Sequence, residues 1–211
     1  MTQPTARQPF WQRLALRIAA LVGWRIVVPA TLPPKCIIVG AHHTSSWDLF
    51  LTLLLRFGAN LRFSWIAKAE LFWGPLGWLW RHTGGIPVRR HARRNFVQQI
   101  VDVFDAGDEV RIAISPEGTR SGARHWKTGF YYIALGAKVP IVLGFADFRK
   151  KEVGFGPVVN PTGDIAADFA LLRDFYAGVT ARHPDRAAEI RLLDQPEPQR
   201  DVIAVEKTEP D

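Results

Sequence analysis

Two histidines and an aspartate interrupt a part of the chain that is otherwise apolar. The segment HHTSSWD, residues 42–48, lies between the runs CIIVGA and LFLTLLL. Along a regular helix His43 and Asp48 would lie on different faces, but a turn that leads into a helix can bring them together. The carboxylate would then hold one imidazole nitrogen while the other takes a proton. The spacing predicts a His–Asp pair that can act as a general base.

Two other interpretations of this segment remain open. Ser45 or Ser46 can cap a helix that starts here, and Asp48 would then only be a first-turn acid favoured by the helix dipole. A metal site formed by His42, His43 and Asp48 is disfavoured, because adjacent histidines point apart and no further strong ligand is near in sequence. We therefore predict no metal.

The chain shows no nucleophile of its own beside this pair. The G-x-S-x-G pattern of hydrolases is absent, and Thr44, Ser45 and Ser46 are typical of turns and caps. The simplest hypothesis is that the substrate supplies the hydroxyl. His43 would deprotonate it, and the oxygen would attack an activated acyl carbonyl.

Three further segments are candidates for binding. In SPEGTRS, residues 115–121, Arg120 can hold a phosphate, Thr119 can donate a hydrogen bond, and Glu117 can accept one from a hydroxyl or orient the arginine. GGIPVRR, residues 84–90, opens a basic cluster that is either an anion site or a solvated face. VPIVLG, residues 139–144, is either core or the lining of a pocket for a hydrophobic tail.

Composition limits the classes of function. The chain has 211 residues, 47% of them hydrophobic, which predicts one packed domain. A net charge of +7 fits nucleic acid, an anionic membrane or an acidic substrate. Nucleic-acid binding is disfavoured because the aromatic residues gather with Gly and Pro in an apolar segment. The single cysteine, Cys36, excludes a disulfide framework and is expected to be a small buried hydrophobe.

The alternation of apolar runs predicts an α/β fold: a mostly parallel mixed sheet flanked by helices. Residues 1–30 are predicted to form an amphipathic, membrane-contacting helix or helix pair broken near Gly23, since arginines and tryptophans interrupt its apolar surface. A catalytic domain is expected over 31–194 and a flexible tail over 195–211. The main predicted strands are 35–41, 62–67, 110–115, 139–146 and 151–159, and the main predicted helices are 47–57, 92–106, 127–137 and 164–182.

Taken in order, these segments resemble the glycerolipid acyltransferase family, above all the 1-acyl-glycerol-3-phosphate acyltransferases. The family's His-x4-Asp motif matches His43 and Asp48, which selects His43 over His42. Its Pro-Glu-Gly-Thr-Arg-Ser motif matches residues 116–121. Its other two motifs match Gly84–Arg90 and Val139–Val142. The sequence departs from the family patterns at Ser115, Pro87, Arg89 and Leu143, and Arg89 leaves the acceptor's identity open.

The resemblance implies an O-acyltransferase that moves a fatty acyl chain from acyl-CoA or acyl-ACP to a lysophospholipid such as 1-acyl-glycerol-3-phosphate. His43 and Asp48 would be catalytic. The implied headgroup ligands are Arg90, Glu117, Gly118, Thr119 and Arg120. No cofactor is implied beyond the thioester co-substrate, and the expected location is peripheral (monotopic) on the cytoplasmic face of the cell membrane. Transfer to another lysolipid, a transacylase reaction and a non-enzymatic binder of anionic lipid or nucleic acid are the alternatives.

Overall fold

A computed structural model describes residues 8–29, 31–88, 96–120 and 122–192, without the side chains of Lys68 and Val88. Three predictions lie outside these residues: the anion-binding role of Arg90, the motif residue Ser121, and the flexible tail over 195–211.

A seven-stranded mixed sheet forms the centre of the fold, as the sequence predicts. Five strands run parallel in the order β6-β2-β5-β3-β4, and β7 and β1 complete the sheet beyond β6 in the opposite direction. β2, the run KCIIVGA, lies in the middle, where its apolar side chains are buried on both faces. The strands are β1 (Arg25–Val27), β2 (Lys35–Ala41), β3 (Ser64–Lys68), β4 (Gly85–Val88), β5 (Val110–Ile114), β6 (Ile141–Asp147) and β7 (Glu152–Val159).

Six α-helices cover the two faces of this sheet. The connections from β2 to β3 and from β3 to β4 advance in one direction across the sheet, so right-handed crossovers place α2 and α3 on the same face. The next two connections run back and place α4 and α5 on the other face. The helices are α1 (Phe10–Leu21), α2 (Trp47–Gly58), α3 (Gly74–His82), α4 (Phe96–Ala106), α5 (Gly129–Gly136) and α6 (Ile165–Ala177).

The core has two parts, one on each side of the sheet. The larger part joins α4, α5 and α6 to the sheet and includes Trp126, Phe130 and Phe169. The smaller part joins α1 and α2 to the sheet and includes Cys36, Leu51 and Leu55. The segment Val139–Leu143 contributes to both parts, and its Ile141, Val142 and Leu143 are fully buried.

The N-terminal segment differs in part from its prediction. One helix, α1, is present, but a second helix after Gly23 is wrong, because Gly23 adopts a positive φ of 74° and the chain continues into β1 beside β7. Ala15 and Ala19 of α1 are buried in the core. Their small side chains allow α1 to pack closely on the domain, so this segment is an integral part of the fold.

Another difference concerns the end of α6. The helix stops at Ala177, whereas 164–182 was predicted. Gly178 follows as the C-cap, and glycine favours helix termination. A 3₁₀ turn at Pro184–Arg186 follows a few residues later.

Candidate active site

The candidate site lies where the carboxyl ends of the parallel strands meet. β2 ends at Ala41 and leads into His42 and His43, and β5, its neighbour, ends at Ile114 and leads into the PEGTR loop. Neighbouring strands are roughly 5 Å apart, so two motifs separated by some seventy residues meet here. The edge of the sheet therefore brings the two sequence motifs together.

His43 and Asp48 are paired, as the turn before α2 allows. His43 Nδ1 lies 3.3 Å from Asp48 Oδ2; the His43 side chain is 30% exposed and that of Asp48 is 9% exposed. The same carboxylate oxygen accepts a 2.8 Å hydrogen bond from the Ser45 amide, which fixes the carboxylate at the start of α2. Asp48 thus serves both the helix start and the histidine. With a carboxylate at Nδ1, the favoured tautomer leaves Nε2 unprotonated.

Glu117 is held behind the histidines. Its side chain is fully buried, and Oε2 accepts a 3.1 Å hydrogen bond from the backbone amide of His43. Oε1 lies 3.6 Å from His42 Nδ1. Neither of these two atoms has a hydrogen-bond partner among the described residues. The carboxylate that was predicted to bind substrate therefore faces the end of β2 that leads into His42 and His43.

The rest of the PEGTR loop reaches the start of α2. Gly118 has a φ of 64°, a conformation that suits glycine, and its amide donates a 3.2 Å hydrogen bond to the Ser115 carbonyl. Thr119 is partly buried, and Arg120 is exposed. Arg120 Nη1 donates a 2.6 Å hydrogen bond to Ser46 Oγ. The Arg120 guanidinium is thus held next to Ser46, which precedes Asp48 by two residues.

Comparison with known proteins decides the family. The model of the family described as Acyltransferase matches residues 26–142, more than half of the chain. The chain belongs to the acyltransferase family. The predicted glycerolipid acyltransferase family and O-acyltransferase enzyme are confirmed.

One solved structure shares the acyltransferase's fold. It is the crystal structure of the 1-acyl-sn-glycerophosphate (LPA) acyltransferase PlsC from Thermotoga maritima, with 17% sequence identity and a TM-score of 0.56. The alignment covers 80% of this acyltransferase and 77% of that chain. A search of curated proteins found no significant match. The predicted α/β fold is confirmed.

A buried tyrosine supports the histidine loop of the acyltransferase and was not foreseen. Tyr176 Oη lies 2.7 Å from the Val39 carbonyl oxygen and 2.9 Å from that of Gly144, so its hydroxyl links β2 to β6. Its ring meets His42 edge to face, with 5.8 Å between centroids. Burial raises the pKa of Tyr176 well above its usual value, and the negative charge of Glu117 adds to this rise. In the sequence, Tyr176 is an ordinary apolar position of α6.

A second unforeseen contact ties the segment after α6 to the acyltransferase's site. Thr44 is almost fully buried, and its hydroxyl accepts a 3.2 Å hydrogen bond from the His183 amide. The neighbouring Arg182 guanidinium stacks on Trp47, 5.3 Å from the ring centroid. These contacts join residues about 140 positions apart in the chain, and no local pattern could have revealed them.

An apolar pocket opens at the ends of β3 and β4. Its volume is about 790 Å³, and the apolar side chains in its lining include Phe72, Trp73, Ile86, Phe96 and Ile100. Strand spacing places it roughly 10 Å from the end of β2.

Two absences concern only the described part of the chain. There, no group of three or more His, Cys, Asp or Glu side chains is placed to hold a metal ion. None of the helices in those residues has the length and apolar character needed to cross a bilayer.

Proposed function

We propose that this acyltransferase moves a fatty acyl chain from an acyl thioester, acyl-CoA or acyl-ACP, to the free hydroxyl of a lysophospholipid such as 1-acyl-glycerol-3-phosphate. The observation that carries the proposal is the His43–Asp48 pair beside the PEGTR loop. A base, a buried carboxylate that orients it and a nearby guanidinium are what esterification of a phosphorylated alcohol requires.

In the proposed reaction, His43 Nε2 takes the proton of the acceptor hydroxyl. The oxygen attacks the thioester carbonyl, the carbon–sulfur bond breaks, and the thiolate takes the proton back from the imidazolium. An ester and a free thiol result. Asp48 stabilises the imidazolium between these two transfers. A thioester carbonyl is already activated toward attack, so the reaction needs no additional activating group.

Arg120 is the proposed ligand of the acceptor phosphate. It is exposed and lies at the N-terminus of α2, where backbone amides and the helix dipole also favour an anion. Gly118 and Thr119 shape the same loop, and Arg90 remains a predicted ligand. For Glu117 we propose a different role from the one expected: it positions His43 through the backbone amide, because its carboxylate is buried away from solvent.

The apolar pocket is the proposed site of the acyl chain. Its volume falls within the roughly 300–1,000 Å³ of typical small-molecule sites, and its lining is mostly aromatic and aliphatic. Lipid substrates also suggest where the enzyme works. We place it peripherally (monotopic) on the cytoplasmic face of the cell membrane, with α1 in contact with anionic lipid through Phe10, Trp11 and Arg13, all exposed.

The test is an acceptor panel assayed with purified protein and labelled acyl-CoA or acyl-ACP. We expect transfer to 1-acyl-glycerol-3-phosphate, and His43→Ala should lower turnover by at least about 100-fold, the usual contribution of a general base. His125→Ala, a histidine substitution outside the proposed site, is the control. Full activity of His43→Ala would refute the mechanism.

The same panel separates the alternatives. Transfer only to a lyso-aminolipid or glycolipid would replace the proposed acceptor, and transfer between phospholipids without any thioester would establish a transacylase. Tight, salt-dependent binding of polynucleotide without acyl transfer would support the non-enzymatic alternative.

A further inference from the structure

Exposed aromatic side chains are concentrated on one side of the molecule. Among the described residues, seven Phe and Trp side chains are exposed, and all lie on α1, α2, α3 or the residue before α3. α1 packs against α2 in the smaller core, and the crossovers place α2 and α3 together, so these helices cover one face of the sheet. We call them the α1–α3 layer. The seven are Phe10, Trp11, Trp47, Phe50, Phe57, Trp73 and Trp78.

The most exposed part of this layer is α3 with the turn that precedes it. Trp73 is 88% exposed, the highest value of any large apolar side chain among the described residues. Four neighbours along the chain are also exposed, and we call the five side chains the α3 face. A soluble surface rarely presents so many large apolar side chains together without a partner. The α3 face consists of Leu71, Trp73, Leu76, Trp78 and Leu79.

Charge divides the chain in the same way. Residues 1–101, which include the α1–α3 layer, carry thirteen Lys and Arg against two acidic residues, a formal charge of +11. Residues 102–211 carry fourteen basic and eighteen acidic residues, a charge of −4. Of the two acids in the first part, Asp48 is buried beneath His43. The helices of the α1–α3 layer carry four arginines, Arg13, Arg17, Arg56 and Arg81, against one acidic residue, Asp48, so the layer itself is positive.

We propose that the α3 face is a second membrane-binding surface, which inserts into an anionic phospholipid bilayer alongside α1. Apolar and aromatic side chains with arginines around them match the boundary between headgroups and acyl chains. Arg81 lies in the last turn of α3 and provides positive charge next to the apolar residues. The choice of a bilayer as the partner rests on the proposed function, whose substrates are lipids.

A second copy of the chain fits this surface less well. A symmetric dimer through the α1–α3 layer would bring the arginines of two copies together, and this repulsion opposes association. With a bilayer as the partner, α2 lies between two membrane contacts, α1 and α3.

The buried position of the only cysteine makes a direct test possible. Cys36 is fully buried, so a polarity-sensitive thiol dye will label an introduced surface cysteine selectively. Trp78→Cys places the dye on the α3 face. Leu171→Cys, on an exposed position of α6 across the sheet, is the matched control. Each labelled protein is titrated with vesicles of phosphatidylglycerol and phosphatidylcholine, and co-sedimentation is measured in parallel.

The expected result is a blue shift and a severalfold rise in emission at position 78, with no change at position 171. In addition, Leu76→Ser with Trp78→Ser should weaken vesicle binding by about tenfold or more, since two large apolar groups no longer leave water. Tyr132→Ser with Leu171→Ser should bind as the unmodified protein does. Thermal unfolding followed by circular dichroism verifies that each variant is folded.

Several outcomes would overturn the inference. The dye at position 78 could remain unchanged while the protein sediments with vesicles, or the protein could fail to bind vesicles at all. A shift that follows protein concentration without lipid would indicate self-association instead. Acyl transfer to a soluble short-chain acceptor is measured separately, so failure of the proposed function is distinguished from failure of this surface.

Discussion

At the scale of single residues, the two adjacent histidines have different surroundings. His43 lies against Asp48, and His42 lies against Glu117. The two neighbouring imidazoles therefore have different carboxylate partners. One histidine is partly exposed and available for chemistry, whereas the other is largely enclosed.

Glu117→Gln tests whether this carboxylate positions the base or binds the acceptor. Glutamine can still accept the hydrogen bond from the His43 amide, but it loses the charge beside His42. We expect kcat to fall by about tenfold, or ~1.4 kcal/mol in the barrier, with little change in acceptor KM. An increase in KM at constant kcat would instead show that Glu117 contacts the acceptor. Far-UV circular dichroism controls for folding.

Single residues also show which features of the site could be predicted from the sequence. The spacing His-x4-Asp predicted a pairing that short-range chain geometry can produce, and the structure places those atoms 3.3 Å apart. The burial of Glu117 could not be predicted, because it depends on β5 lying beside β2. Strand order is a long-range property that local patterns do not contain.

At the scale of elements, Tyr176 connects α6 to the two strands under the site. Its hydroxyl reaches carbonyl oxygens of β2 and β6 just before the histidine loop. α6 thereby supports the end of β2 that leads into the histidines.

Tyr176→Phe should lower the free energy of unfolding by about 1 kcal/mol, because a buried hydrogen bond is lost. Tyr132→Phe, on an exposed side chain of α5, is the matched control and should have little effect. Denaturant unfolding at neutral pH measures both. Equal effects of the two substitutions would contradict a special role for Tyr176.

The difference in unfolding free energy between the parent protein and Tyr176→Phe should depend on pH. Above about pH 10 the phenol ionises in the unfolded chain, whereas in the folded protein its raised pKa keeps it neutral. The stabilisation by Tyr176 is therefore complete below pH 10 and declines as the pH rises above it. The difference in stability between the parent protein and Tyr176→Phe should shrink between neutral pH and pH 11.

Element boundaries were predictable where apolar runs were long. β2 and β7 match their predicted residues closely, and α2 begins at Trp47 as expected. β1 was missed because a strand of three residues is too short to show an alternating apolar pattern. Its partner strand, β7, is also distant in the sequence. The end of α6 was placed too late because its apolar pattern continues past Gly178.

At the scale of the whole molecule, the sheet separates two different surfaces. One carries the exposed Phe and Trp side chains and four arginines of α1, α2 and α3, and the other is covered by α4, α5 and α6. Composition alone gave the net charge of +7 but not this separation. The segregation of charge and apolar surface is visible only when chain position is combined with topology.

This asymmetry predicts a steep salt dependence of membrane binding. Co-sedimentation with phosphatidylglycerol vesicles should decrease strongly as the NaCl concentration rises. Salt screens the attraction between the arginines of the protein and the anionic headgroups. Vesicles of phosphatidylcholine alone should bind much less at low salt. Binding that is indifferent to both salt and lipid charge would contradict the electrostatic part of the proposal.

The buried Cys36 has a consequence for the proposed reaction with a thioester. Burial raises the pKa of its thiol to about 11, and Arg111 offsets this rise only in part. A thiol that stays protonated and shielded is a poor nucleophile. Because Cys36 is the only cysteine in the chain, no exposed thiolate is available to attack the acyl donor of the proposed reaction.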